Sequence, residues 1–184
     1  MAANSRTNFA SHTTNNIYVK AALNFVDAIN ESFENGPGEY KRMRDCFLEH
    51  GTISLGTSSM VPPGDKNSET REGQLRKLDG FKQLISRTNI KVIDFVQQGN
   101  RVIVEGKADG QTASGQSYTN DYVFCYTFVD VDEANADEYT TAEGQGDEAK
   151  ARLPKLSTMK EYLDSAYLQG LIAKEQQALQ KDGS

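Results

Sequence analysis

Between Ser117 and Asp130 the chain gathers reactive and aromatic side chains on one side of a strand. Side chains alternate along a strand, so Tyr118, Asn120, Tyr122, Phe124, Tyr126 and Phe128 share one face, and Thr119, Asp121, Val123, Cys125 and Thr127 share the other. The first face is aromatic but carries polar groups at one end. A small-molecule site needs that combination, with apolar walls for affinity and a few convergent polar groups for orientation. An aromatic core whose hydroxyls reach solvent at the rim would show the same pattern. On the strand from Lys155 to Leu163, Glu161 shares a face with Met159 and Leu163. Apolar neighbours disfavour an ionised carboxylate, which would raise the Glu161 pKa toward the range useful for proton transfer near neutral pH. The competing reading is an edge glutamate paired with a lysine.

Other chemistries lack their residues. The histidines are His12, in a polar N-terminal stretch, and His50, at the predicted end of a helix, and no Cys/His/carboxylate cluster has metal-ligand spacing. Gly106, Gly110 and Gly115 fall in hairpin territory rather than in a strand-to-helix phosphate loop, and there is no nucleophile elbow. Cys46 and Cys125 read as two reduced thiols packed as small hydrophobes. No cofactor and no metal are expected.

The elements that must hold these residues follow from periodicity. Val19, Ala22, Val26, Ile29 and Phe33 recur at spacings of three and four, which predicts a helix over 17–34, capped by Asn16 and stopped by Gly36-Pro37. A second helix is predicted from about Glu39, with Tyr40, Met43 and Phe47 on one face, ending at Gly51. Thr52 to Gly56 reads as a short strand, and the polar stretch Thr57 to Glu72 as a loop long enough to act as a lid. Leu75, Leu78, Phe81 and Ile85 suggest a third helix, with Asp79-Gly80 as an alternative start. Ile90 to Val96 and Arg101 to Gln111 form a hairpin about Gln98-Gly99-Asn100, and Gly115 marks the turn into 117–130. After the last strand, Asp164 caps a terminal helix over 164–180. Helices followed by a meander make an α+β order, since the parallel βαβ alternation is absent.

At 184 residues the chain suits one domain, 1–184, with a flexible tail over 1–16 and an acidic loop insertion over 131–153. The net charge of −6 is local: eight acidic residues lie between Asp130 and Arg152, against Lys150 and Arg152. Elsewhere the chain is near neutral and has no basic stripe, so nucleic acid is a poor partner. No stretch approaches the roughly 18 apolar residues of a membrane helix, and the N-terminus lacks a hydrophobic signal region. A cytoplasmic protein is expected.

The run Gly115-Gln-Ser-Tyr-Thr-Asn-Asp-Tyr-Val-Phe-Cys-Tyr-Thr-Phe128, followed by Leu156-Ser-Thr-Met-Lys-Glu-Tyr-Leu-Asp164, resembles the Y-x-N-x-Y…F and E-Y-x-D signatures of SnoaL-like proteins of the nuclear-transport-factor-2-like (NTF2-like) superfamily. The helix pair and Asp79-Gly80-Phe81 to Ile85 fit the same plan, so the resemblance spans roughly residues 17 to 172. It implies a cone-shaped, curved antiparallel sheet packed on N-terminal helices, with a cavity inside the cone. It is specific for fold and weak for reaction. The superfamily holds steroid isomerases, polyketide cyclases, dehydratases, limonene-type epoxide hydrolases and fungal isomerases, which place acid–base residues in the cone without a cofactor. Glu161 falls where the epoxide hydrolases keep an aspartate, but Asn120 and Tyr122 stand in place of their Arg-x-Asp pair, which counts against epoxide hydrolysis. A Tyr-x-x-x-Tyr pair facing a last-strand acid, aided by a helix-two arginine, is similar to the fungal rearrangement enzymes.

That resemblance makes Glu161, Tyr118, Tyr122 and an arginine the expected catalytic set. Both Arg42 and Arg44 are available. Taking about 100° per residue, Arg44 lies roughly 40° from Tyr40 on the apolar face, while Arg42 lies about 200° away, so Arg44 is the better choice. Asn120, Phe124, Met159, Phe47 and Tyr40 are the expected substrate-binding residues. Asp121 is disfavoured as a second acid because it points away from Tyr122. The expected activity is a cofactor-independent isomerase or cyclase of secondary metabolism that rearranges a hydrophobic, oxygenated, polycyclic substrate. The alternatives are a non-catalytic binding module, a dehydratase or an epoxide hydrolase of the same fold. The resemblance also implies a homodimer through the outer face of the sheet.

Overall fold

A computed structural model describes residues 16–35, 40–55, 68–130 and 153–182. The first helix, α1 (Ile17–Glu34), has the predicted bounds. Asn16 starts it by accepting hydrogen bonds on Oδ1 from the backbone N–H of Tyr18 (3.0 Å) and Val19 (3.2 Å), an arrangement worth about 1 kcal/mol. Its apolar stripe is buried from Val19 to Ile29, with Phe33 partly buried, and Ala21, Phe25 and Ala28 widen it. Asn35 ends the helix with its N–H on the Glu31 carbonyl, and the expected stop at Gly36-Pro37 lies outside the described residues.

The second helix is shorter than its pattern suggested. It spans α2 (Lys41–Cys46), and Phe47 opens a strand, β1 (Phe47–Leu55). Pairing with the last strand, β6 (Leu156–Leu163), satisfies that backbone outside any helix. Gly51 fits this arrangement, since a Cβ there would stand 2.9 Å from Phe47 Cδ1 and 3.2 Å from the Leu156 carbonyl. A three-residue strand, β2 (Ser68–Thr70), lies in the stretch read as a loop and pairs antiparallel with β1. The rest of the expected lid, over 57–67, lies outside the described residues. Thr70 caps α3 (Arg71–Leu84) through the Gly73 N–H, so Asp79-Gly80 lies within that helix and does not start it.

Ile85, expected at the end of α3, instead begins β3 (Ile85–Gln98) and is 1% exposed. Gly99, at φ 57°, turns β3 into β4 (Arg101–Thr112), and Gly115, at φ 85°, turns β4 into β5 (Ser117–Phe128). Both glycines occupy the left-handed region that other residues enter at a cost. Asp164 caps α4 (Ser165–Asp182) by accepting the Tyr167 N–H at 3.0 Å. The acidic segment 131–152 lies outside the described residues.

The six strands form one sheet in the order β2-β1-β6-β5-β4-β3. The sheet is curved and unclosed. It is mixed and not wholly antiparallel, because β6 runs parallel to β1 while pairing antiparallel with β5. Register shifts in β3 at Ile85/Arg87 and Val92/Asp94 help bend it. The inward face of β5 is buried at every alternate position, and α1 covers it, with Phe25 meeting Tyr126 and Phe47 edge-on at 5.7 and 5.0 Å. Among the described residues no helix is long and apolar enough to cross a membrane.

Gly110 marks the tightest approach, because a Cβ there would lie 2.0 Å from the Arg87 carbonyl oxygen. Backbone cannot swing aside as a side chain can, so Gly110→Ala should destabilise the protein by about 1–3 kcal/mol. Gly80→Ala meets nothing within 4 Å and lies within a helix, so it should stabilise by about 0.5–1 kcal/mol. Urea unfolding of the two variants reads these opposite signs.

Candidate active site

Inside the curve of the sheet lies a cavity of about 220 Å³. Its walls are mainly apolar: Phe25 and Ile29 come from α1, Leu75, Leu78 and Phe81 from α3, and Leu168 from α4. The sheet adds Phe124 and Met159, two of the expected substrate-binding residues. Among the described residues three lining side chains carry polar groups, namely Glu161 on β6, Tyr122 on β5 and Thr88 on β3.

Glu161 is half-buried on this wall and forms no hydrogen bond or ion pair with any described residue. Removal from water therefore acts on its carboxyl alone and pushes its pKa up to about 7. The edge-strand alternative fails because β6 lies between β1 and β5, and neighbouring Lys160 is on the exposed face.

Tyr118 and Tyr122 lie one above the other on β5, their hydroxyl oxygens 2.6 Å apart. Burial raises both phenols, Tyr118 to about 12 and Tyr122 well above its ordinary value, so both remain protonated at any physiological pH. The cavity wall includes Tyr122 but not Tyr118. Tyr118 is fully buried behind it, against Phe81 edge-on and stacked on Tyr167 at 6.4 Å. Tyr122, Phe124 and Tyr126 form a nearly parallel ring stack, with successive centroids 5.2 and 5.8 Å apart. This stack stiffens the wall beside Glu161.

The other expected residues do not reach the cavity. Arg44 is turned to Glu72, with Nε and Nη2 at 3.2 Å from its carboxylate oxygens, and Arg71 holds the same carboxylate at 3.0 Å. The placement expected for Arg44 is thereby corrected: α2 is one short turn with Met43 facing inward, and a carboxylate on α3 captures the adjacent guanidinium. Arg42 binds Glu31 at 2.6 Å and Asn24 at 2.7 Å. Tyr40 is a buried residue preceding α2; its hydroxyl donates to Asp79 at 2.5 Å, and Lys82 Nζ stands 4.5 Å from its ring centroid. Phe47 packs on Phe25 in the core. Asn120 is 5% exposed and accepts the Asp164 N–H on Oδ1 at 3.1 Å, which ties the start of α4 to β5. Asp121 points outward, 3.9 Å from Lys107 Nζ.

Thr88 and the contributions of α1 were not anticipated. Alternation on β3, where Thr88, Ile90 and Val92 all point inward, is the signal that would have found Thr88. The roof contributed by α4 is held by Glu175, which is buried and accepts hydrogen bonds from the Ser114 N–H and from Ser114 Oγ at 2.7 Å. Cys46 and Cys125 are free thiols, and burial raises Cys46 to about 11. Among the described residues no three His, Cys, Asp or Glu side chains converge as metal ligands do.

No protein-family model and no curated protein matches the chain. Solved structures do. The pinacolase BvnE from Penicillium brevicompactum superposes with a TM-score of 0.61 at 16% identity, over 89% of this chain and 96% of that one. An NTF2-like protein of unknown function from Burkholderia pseudomallei gives 0.59 at 12% identity, over 85% and 98%. A putative SnoaL-like polyketide cyclase from Jannaschia gives 0.57 at 12% identity, over 85% and 91%. The chain has the NTF2-like, SnoaL-like fold, as its β5 and β6 motifs implied.

Glu161 also makes stability depend on pH. Its pKa is 4.5 ordinarily and about 7 in the fold, so the folded state binds the proton more tightly than the unfolded state. Its contribution is complete below about pH 4.5 and is lost as pH rises through 7, a span on the order of 3 kcal/mol. Glu161→Gln removes this slope. Urea unfolding should show the variant gaining on the wild type between pH 5 and pH 8, and parallel profiles would refute a desolvated carboxyl.

Proposed function

We propose that this chain is a cofactor-independent isomerase or cyclase that rearranges an apolar, oxygenated, polycyclic natural-product intermediate. The observation that carries this reading is the unpartnered Glu161 carboxyl in a mainly apolar cavity that it shares with the Tyr122 and Thr88 hydroxyls. With a pKa near 7, the carboxylate is ionised in a useful fraction of molecules at neutral pH and returns a proton readily.

In a semipinacol-type step, Glu161 takes the proton of a substrate hydroxyl. That oxygen becomes a carbonyl as a neighbouring C–C bond migrates, with its electron pair, to the adjacent carbonyl carbon. The second oxygen takes up the negative charge, receives a hydrogen bond from Tyr122 and is then protonated by Glu161. When Tyr118 donates to Tyr122, the Tyr122 proton is free to face the ligand. Such a donor works best where water is excluded. Arg44, held by Glu72, has no part in this step. The names of the superposing pinacolase and cyclase support an acid–base rearrangement. Among the described residues no second carboxylate lines the cavity, which favours rearrangement over a hydrolase or dehydratase using paired acids. That these structures match 85% and 89% of this chain supports reading it as one domain.

The outer face of the sheet supports a homodimer. Val96 pairs with Ile103 and Val123 with Tyr162 across neighbouring strands, and all four are more than a third exposed. Sedimentation should give a dimer, and Val123→Glu should shift it toward monomer with the fold intact; a wild-type monomer would refute this assembly.

Native mass spectrometry with small-molecule extracts of the producing organism tests the activity. Glu161→Gln should trap a hydrophobic oxygenated metabolite that the wild type releases as an isomer of equal mass, with turnover reduced by about 10² to 10⁴. Wild-type kcat/KM should rise with pH about a midpoint near 7. Full turnover in the folded Gln variant would refute the mechanism. A retained protein partner with no small ligand in either form would favour a binding module.

A further inference from the structure

Buried hydroxyls almost always find a hydrogen-bond partner, so one that does not calls for an explanation. Thr88 is such a case: it is 6% exposed, it lines the cavity, and its Oγ1 makes no hydrogen bond with any described residue. Its surroundings show why. Across the β3–β4 pairing Thr88 faces Gly110, which has neither a side chain to offer nor room for one. Beyond Gly110 stands Tyr118, whose hydroxyl is engaged by Tyr122. The next inward residue on β3, Ile90, is apolar, as are Ile29 and Phe81 on the covering helices. A valine would fill the same volume without stranding a hydroxyl.

The backbone positions of the other two polar lining residues lie elsewhere on the sheet. Tyr122 stands opposite Gly106 on β4, and Glu161 opposite Phe124 on β5, whereas Thr88 falls in the row of Gly110 and Tyr118. β3 is three strands from β6 in the sheet order, so Thr88 and Glu161 stand on different parts of the curved wall. A rigid ligand that presents one oxygen to Glu161 therefore reaches toward Thr88 with its remote end.

We propose that Thr88 is a specificity-determining residue that recognises a second, remote oxygen of the ligand, so that the cavity selects a non-anionic, rigid, largely apolar molecule oxygenated at both ends. This rests on the small-molecule reading of the cavity, not on the reaction assigned to it. The ligand is not an anion, because no lysine or arginine lines the cavity among the described residues, and a buried anion without a counter-charge is strongly disfavoured.

Two probes test this by titration calorimetry: a rigid biphenyl diol with a hydroxyl at each far end, and the corresponding mono-ol. Wild type should bind the diol about fivefold to tenfold more tightly than the mono-ol, the worth of one neutral hydrogen bond. Thr88→Val should bring that ratio to about one while leaving mono-ol affinity unchanged, and Thr88→Ser should preserve it. Without ligand, Thr88→Val should be at least as stable in urea as the wild type, which separates lost recognition from lost folding. Equal wild-type affinity for the two probes, or an unchanged ratio in Thr88→Val, would overturn the role of Thr88 and leave the cavity reading standing. No saturable binding of either probe to the wild type would overturn the cavity reading, and this inference with it.

Discussion

The insertion of β6 between β1 and β5 is the constraint on which the rest of the molecule depends. Residues near the end of the chain complete the sheet by running parallel to a strand formed much earlier and antiparallel to one that immediately precedes the acidic segment. The backbone of Phe47 to Gly51 joins a strand and leaves the helical state that its side chains also allow. Glu161 acquires a strand on either side, opposite Leu55 on β1 and Phe124 on β5. On an edge strand the same carboxylate would be hydrated and ordinary. In the middle of the sheet, facing inward, it loses water without gaining a partner, and its altered acidity follows from that position.

Rigidity around this group comes from aromatic packing rather than from a polar network. Tyr122, Phe124 and Tyr126 stack along β5, and Phe25 of α1 closes on Tyr126 from the side. Such pairs each contribute about 0.5–1.5 kcal/mol beyond their burial and hold the rings in defined orientations. The helix that roofs the cavity is fixed differently. α4 is tied to the sheet by polar clasps, Asn120 to the Asp164 N–H at its start and Glu175 to Ser114 further along, so its apolar residue Leu168 can face the cavity.

Cations are kept out of the cavity by carboxylates placed outside it. Glu31 and Glu72 engage Arg42 and Arg44 at the protein surface, where each pair adds little to stability but decides where a guanidinium points. Lys82 is drawn to the Ser32 carbonyl and the Tyr40 ring. The polar inventory of the cavity is thus one acid and two hydroxyls among the described residues, a composition suited to neutral, weakly polar ligands.

Local pattern was enough for much of this. The helical period and the cap of α1 act within a few residues of chain, so the bounds of α1 match the prediction. Alternation over 117–128 and 157–163 placed Tyr118, Tyr122, Phe124, Met159 and Glu161 on the inward face, because a strand has two faces and the inward one is the more apolar. Partners distant in sequence decided the remainder. The end of α2, the parallel β1–β6 pair and the position of Ile85 in a strand depend on hydrogen bonds with segments that local pattern cannot see. Arg44 lay at a favourable helical angle, yet a carboxylate on α3 sets its direction. Thr88 looked like an ordinary strand residue until register set it opposite Gly110, and only then did its hydroxyl stand alone in the cavity. Sequence by itself determined the apolar faces of α1 and β5, the Asn16 and Asp164 caps and the turns at Gly99 and Gly115, since those depend on near neighbours. Tertiary structure alone decided which buried polar groups are paired and which are left for a ligand, because that depends on what the rest of the chain brings beside them.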